Sequence, residues 1–235
     1  MPSVGVVIAA GGRGRRLGGT TPKQFLLLDG IPILQRTTEL FASLRSVGEI
    51  VVTSPRDCLR RVERLLAGIA CGKLVSIVPG GKERQDSVWR GLQGFLLRPD
   101  IVLVHDAVRP FVSRQTIEEV ILAATKYGAA VTGVRIQDTV KMEGEKGCYS
   151  GTLDRSKLWA VQTPQGFAYD LLLRGHRKAR SRGYVGTDEA SLVERLGIPV
   201  RIVEGDPMNI KITTPQDFRL AKMWLKEAGN RGRST

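Results

Sequence analysis

The residues best suited to chemistry come early. Between the apolar run VGVVIA (residues 4–9) and the pair Lys23-Gln24 lies AGGRGRRLGGTTP, residues 10–22. Glycines in such a loop let the backbone come close to a ligand and aim several N–H groups at one anion. Arg15 or Arg16 adds a planar fork of donors, and Lys23 a compact point charge. Phosphate is the group such a loop suits. Two familiar phosphate loops fit poorly. The dinucleotide fingerprint G-x-G-x-x-G needs glycine where Leu17 stands, and a helix that Gly18-Gly19-Thr20-Thr21-Pro22 prevents. The P-loop needs lysine after its last glycine, and Thr20 follows Gly19. A loop wrapping a triphosphate with side-chain cations as well as backbone amides fits better. The bland alternative is a solvent loop with a basic bias.

A second candidate is Asp106, which closes the apolar run Ile101–Val104 and His105. A carboxylate at the C-terminal end of a buried strand lies where α/β sites form. It suits a Mg²⁺ bridging phosphate oxygens or a substrate hydroxyl, with a turn cap as the structural alternative. His105 reads as structural. With two histidines and three cysteines (Cys58, Cys71, Cys148) lacking CxxC spacing, a histidine- or cysteine-held metal cluster is excluded. Any metal must be held by carboxylates or substrate phosphates, which favours Mg²⁺. The odd cysteine number suits a reducing cytoplasm.

Elements to position these residues can be read from the pattern. VGVVIAA (4–10), EIVVTS (49–54), LVSIVPG (74–80), IVLVHD (101–106) and AAVTGV (129–134) predict strands, several apolar throughout, as strands covered on both faces should be. Helical patterns separate them: one from Pro32 through ILQRTTELFASL, then RDCLRRVERLLAGI, RQDSVWRGLQGFLL, and SRQTIEEVILAATKYG with Ser113 as N-cap. Alternating β and α elements predict an α/β fold: a single Rossmann-like three-layer domain over residues 1–235 with a mostly parallel central sheet. Residues 136–160 turn polar around GEKG and predict a projecting β-hairpin arm that would pack on a second subunit. AVQTP returns to the sheet. FAYDLLLRGHRKARSRG and TDEASLVERLG predict helices, the latter capped by Thr187 or Asp188. PVRIVEG and TPQDFRLAKMWLKEAG give a last strand and helix, and 228–235 a flexible basic tail.

The formal charge is +13, from 36 Lys and Arg against 23 Asp and Glu. Such a field gathers anions. Much of it falls on helix faces, as at Arg60, Arg61 and Arg64, and the signatures of nucleic-acid modules are missing. The expected partners are therefore phosphorylated small molecules, with no nucleic acid and no membrane. No apolar run is long enough to span a bilayer, and the N-terminus lacks the basic start of a signal peptide.

Several motifs together carry a family resemblance. Ala10-Gly11-Gly12-Arg13-Gly14-Arg15-Arg16-Leu17-Gly18 with Pro22-Lys23-Gln24-Phe25 resembles the A-A-G-x-G-x-R-x-G…P-K-Q-[FY] signature of cytidylyltransferases acting on polyol phosphates. Gly80-Gly81-Lys82-Glu83-Arg84-Gln85-Asp86-Ser87-Val88 and His105-Asp106-Ala107-Val108-Arg109-Pro110 resemble two more of its segments. Asp138–Lys141, Thr163–Gln165, Thr187–Ala190 and Asn209–Thr213 follow in the family's order, so the resemblance covers nearly the whole chain. Asp188-Glu189-Ala190-Ser191 resembles the group acting on methylerythritol phosphate, in the non-mevalonate isoprenoid route, better than the sister enzymes making CDP-ribitol.

The resemblance implies transfer of CMP from CTP to methylerythritol phosphate, with Mg²⁺, in a cytoplasmic homodimer joined through the arm. It implies that Arg16, Lys23 and Lys211 stabilise the reacting phosphates. Ala10, Gly11, Gly12, Gly14, Gly81, Lys82, Ser87, Asp106 and Ala107 would bind the nucleotide, Asp106 also the metal. Arg109, Thr139, Thr163 and Thr187 would hold the acceptor, and Arg155 would reach the site of the neighbouring subunit. Gly11 stands where the family has alanine, Ala9 where proline is common, and Lys82 where an acidic residue is frequent. The alternatives are a ribitol 5-phosphate or other sugar-phosphate nucleotidyltransferase, a basic nucleic-acid-binding protein and, weaker still, a nicotinamide-dependent dehydrogenase.

Overall fold

The computed structural model describes residues 2–12, 21–69 and 73–231. In chain order these form β1 (Val4–Ala9), the short pair β2 (Leu27–Leu28) and β3 (Ile31–Pro32), α1 (Ile33–Ala42), β4 (Val47–Ser54) and α2 (Leu59–Leu66). Then come β5 (Leu74–Pro79), α3 (Arg84–Gln93), β6 (Ile101–Asp106), α4 (Arg114–Tyr127) and β7 (Ala129–Arg135). The rest is β8 (Lys141–Glu143), β9 (Tyr149–Thr152), β10 (Trp159–Ala168), α5 (Tyr169–Ser181), α6 (Glu189–Glu194), β11 (Arg201–Glu204) and α7 (Pro215–Arg231).

Seven strands make one sheet in the order β5-β4-β1-β6-β10-β7-β11. All are parallel except β10, which runs antiparallel to β6 and β7. The alternation within each strand sorts side chains onto two faces. Val4, Val6, Ile8 and Leu103 join Phe41 of α1, Val62 of α2 and Ile117 and Val120 of α4. Val7, Val102 and Val104 join Val88 and Leu92 of α3, Leu171 and Leu172 of α5 and Val193 of α6. The strands are therefore apolar on both faces because helices cover both. The domain is a three-layer α/β fold.

Two local features bear on the site. A Cβ at Gly91 would lie 2.5 Å from Val7 Cγ1, so glycine lets α3 lie this close to β1. The helix then stops at Gln93, short of the expected Leu97. Gly94 closes its end, and the buried Glu49 carboxylate accepts the amides of Leu96 and Leu97 at 2.8 and 3.3 Å, drawing the chain off the helix axis. Ser113 and Asp188 cap α4 and α6 as the sequence predicts, each accepting an amide three residues on.

β8 and β9 pair only with each other, outside the main sheet, around a turn in which Lys146 (φ 53°) and Gly147 (φ 74°) take left-handed conformations. α7 runs to Arg231, past the boundary at 228 expected for a basic tail. Its backbone ladder continues through Gly229. Among the described residues, no helix is long and apolar enough to cross a membrane.

Candidate active site

β1 and β6 lie side by side where the strand order diverges, β4 and β5 continuing one way and β10, β7 and β11 the other. Such a divergence leaves a crevice at the carboxyl ends of the strands. Ala9 is in register with Asp106, and the Ala107 N–H donates to Ala9 O at 3.1 Å. The loop leaving β1 therefore starts beside the carboxylate. A cavity of about 200 Å³ opens there, lined by Ala10, Gly11, Gly12 and Lys23, by Gly81, Lys82, Arg84 and Ser87, and by Asp106, Ala107 and Lys211. The structure thus brings together most of the residues expected to bind the nucleotide, with two of the three expected cations. Gly14 and Arg16 lie outside the described residues.

Lys211 arrives from far along the chain. The Ile212 N–H donates to Val108 O at 2.9 Å, and Asn209 Nδ2 donates to Thr163 O at 2.8 Å. These bonds set Lys211 Nζ 2.8 Å from Asp106 Oδ2. Arg84 Nε meets Asp106 Oδ1 at 3.1 Å, and Arg109 Nε stands 3.6 Å from Oδ2, an ionic distance too long for a hydrogen bond. Burial alone would raise the Asp106 pKa. Arg84, Lys211 and Arg109 outweigh it and hold the carboxyl well below the usual carboxylate range. Asp106 is charged at any working pH, and its charge fixes the surrounding cations.

Behind Asp106 a chain of hydrogen bonds runs through Thr163 and His105. The Asp106 N–H donates to Thr163 Oγ1 at 3.1 Å, which lies 3.1 Å from His105 Nδ1, while His105 Nε2 lies 3.0 Å from Arg109 O. A carbonyl only accepts, so Nε2 carries the proton and Thr163 donates to Nδ1. Burial pulls the His105 pKa down to about 4, keeping the ring neutral. Thr163 is therefore turned inward and bonded to protein. Arg109 is largely buried and donates through Nη1 to Asn209 O at 2.7 Å. Ser87 is likewise committed: its hydroxyl accepts from Gly81 N–H at 3.0 Å and donates to Glu83 O at 3.1 Å, shaping the glycine turn.

Thr139 and Thr187 are exposed, and Arg155 follows the β8–β9 arm with Nη1 donating to Gln137 O. None of the three lines the cavity. Sequence reasoning missed Arg84, Gln85 and Glu189. Arg84 Nη1 meets the buried Glu189 Oε2 at 2.5 Å, and burial pushes the Glu189 carboxyl up while Arg84 opposes it. Arg84 and Glu189 both stand inside quoted motifs, but nothing in the sequence reveals that those motifs touch.

The donor set also bears on a metal. Among the described residues no group of three or more acidic, histidine or cysteine side chains could cage an ion. Asp106 already faces Arg84, Lys211 and Arg109. This arrangement fits a Mg²⁺ that arrives on phosphate oxygens and takes at most one carboxylate, a usual mode for that ion.

Known proteins share this chain's sequence and fold. A relative from Symbiobacterium thermophilum, a 2-C-methyl-D-erythritol 4-phosphate cytidylyltransferase, is 50% identical over 224 residues, covering 95% of this chain and 93% of that protein. The crystal structure of the enzyme of that name from Thermus thermophilus superposes with a TM-score of 0.74 at 37% identity, over 96% of this chain and 98% of that one. A 4-diphosphocytidyl-2C-methyl-D-erythritol synthase from Anaerococcus prevotii gives a TM-score of 0.85 at 27% identity, over 96% and 99%. A profile of one family matches residues 4–227, and the chain accordingly belongs to the 2-C-methyl-D-erythritol 4-phosphate cytidylyltransferase family.

Proposed function

We propose that the protein transfers CMP from CTP to 2-C-methyl-D-erythritol 4-phosphate, giving CDP-methylerythritol and pyrophosphate. The observation that carries this reading is the cavity at the ends of β1 and β6, where Lys23 and Lys211 meet the start of a glycine-rich loop. An oxygen of the acceptor phosphate attacks the α-phosphorus of CTP. The new P–O bond forms as the bond to the bridging oxygen breaks, and its electron pair leaves with pyrophosphate. A phosphate monoester is ionised at neutral pH, so no strong base is required. Positioning and charge stabilisation remain.

This chain's cations suit that work. Lys23, with Arg16, would neutralise the triphosphate, and Lys211, steadied by Asp106, would face the reacting phosphorus. A Mg²⁺ carried by the triphosphate and held by Asp106 would neutralise further phosphate charge. The backbone around Ala10, Gly11, Gly12, Gly14, Gly81, Lys82 and Ala107, with the turn built by Ser87, would receive the nucleotide.

Arg109, Thr139, Thr163 and Thr187 would form the acceptor side, Arg109 as the cation and Thr163 through the bonds that seat Asp106. Arg155 would reach the acceptor phosphate in a second subunit. A homodimer through the arm is supported by the apolar side chains it exposes, Met142, Tyr149 and Leu153, and by Val161 at its base. A cytoplasmic setting without nucleic-acid or membrane partners accords with the small charged cavity and the free, exposed Cys148.

The test is product identification by mass spectrometry after incubation with CTP, methylerythritol phosphate and Mg²⁺. CDP-methylerythritol supports the assignment. Product only with ribitol 5-phosphate would move the protein to the sister activity, and no product with either would overturn the assignment.

A further inference from the structure

We infer that Arg84 and Gln85, consecutive residues in the first turn of α3, are positioning residues that fix the segment 184–189 against Asp106. The inference rests on the proposed transfer, in which Thr187 belongs to the acceptor side.

A single guanidinium joins two carboxylates. Arg84 Nε holds Asp106 Oδ1 at 3.1 Å and Nη1 holds Glu189 Oε2 at 2.5 Å, with the acidic side chains 8% and 1% exposed. The planar fork fixes the angle between its two bonds, which a lysine would not. Gln85 grips the same segment at its other end. Its Nε2 donates to Tyr184 O at 3.1 Å, and its Oε1 accepts the Gly186 N–H at 2.8 Å. Exposed Thr187 is thus held between Gly186 and Glu189. The same helical turn shapes the nucleotide side, where Ser87 accepts the Gly81 N–H at 3.0 Å. Gly91 seats the whole helix on β1. One turn of helix therefore sets the distance between the two halves of the site.

The transfer needs no proton from Arg84 or Gln85. Glu189 is buried and bonded to Arg84, so this guanidinium is a direct side-chain link from Glu189 to Asp106. A purely structural ion pair would lower thermal stability and leave the kinetics of the folded protein untouched. A positioning pair acts on the acceptor.

The experiment is steady-state kinetics with thermal unfolding on the full chain and on Glu189→Gln, Arg84→Lys, the double variant and Gln85→Ala. Misplacement of a reacting group by about 1 Å costs on the order of a hundredfold. For Glu189→Gln, the expected result is a fall in kcat/KM for the acceptor of about ten- to a hundredfold, carried by both KM and kcat, with CTP binding unchanged. The double variant should be no worse than Arg84→Lys. Should Glu189→Gln fail to fold, Gln85→Ala, which does not line the cavity, carries the same expectation. Wild-type acceptor kinetics in folded Glu189→Gln and Gln85→Ala would overturn the inference, as would a defect confined to CTP. A silent unmodified protein would overturn the assignment beneath it, and this inference with it.

Discussion

Lys211 Nζ sits 2.8 Å from Asp106 Oδ2, joining the segment after β11 to the central strand of the sheet. The two partners are unequal. Lys211 is 39% exposed at its side chain, while Asp106 is 8% exposed and also faces Arg84 and Arg109. Lys211→Gln should therefore leave the unfolding temperature nearly unchanged while kcat falls about 10²–10³-fold, the usual scale for removing one transition-state donor. Asp106→Asn should lose activity and stability together, because removing one partner of a buried ion pair costs about 3–5 kcal/mol. Paired kinetic and thermal measurements check the contrast.

Gly81 opens the turn that leads into α3. A Cβ there would lie 2.1 Å from Asp86 Cβ and 3.0 Å from the Asp86 carbonyl carbon, so the helix start must move. Gly81→Ala should destabilise the protein by about 1–3 kcal/mol, as overpacking does, and raise KM for CTP. At Gly11 the nearest atom is the Ser87 hydroxyl at 3.2 Å, and Gly11→Ala should cost less on both measures.

Acid should weaken the fold through its histidines. Burial pulls His105 and His176 down to about 4, from an ordinary value of 6.5. Around His176, Arg180 and Arg84 add to this effect while Asp86 opposes it. Between those two values the unfolded chain binds more protons, so stability falls as pH drops through that window. Asp106 acts lower. Its depressed pKa contributes stability above about pH 4, near the unfolded carboxylate value, and that stability is lost only at more acid pH. Unfolding temperatures measured from pH 7 to pH 4 should fall, and His176→Leu should flatten the slope.

How far the sequence reaches can be judged from particular residues. The apolar runs at 4–9 and 101–106 announce covered strands, and Asp106 at the end of one announces the site. Lys211 is legible by motif alone, since only the bonds from Ile212 and Asn209 show what brings it to Asp106. Thr163 reads as an acceptor ligand in the sequence, yet its hydroxyl faces Asp106 N–H and His105, a direction no local pattern encodes. The pairing of Arg84 with Glu189 is invisible there because they are 105 positions apart and only folding makes them neighbours. Helix ends are least legible where a distant side chain decides them, as Glu49 does after Gln93.

The arm yields a subunit-mixing prediction. If Arg155 serves the site of a symmetric partner, Arg155→Ala and Lys23→Ala homodimers should each be nearly inactive. Equal mixing, with exchange, would then restore about a quarter of the wild-type sites, since one site in each mixed dimer is intact. Activity of the mixture against time checks this, and no recovery despite demonstrated exchange would place Arg155 in its own subunit's site.

The most direct test of the account is pyrophosphate release with Mg²⁺, crossing CTP, UTP, ATP and GTP with methylerythritol phosphate and ribitol 5-phosphate, with Lys23→Ala alongside. Release confined to CTP with methylerythritol phosphate, and lost in the variant, is the predicted result. Release that ignores the nucleotide, or that survives loss of Lys23, would contradict it.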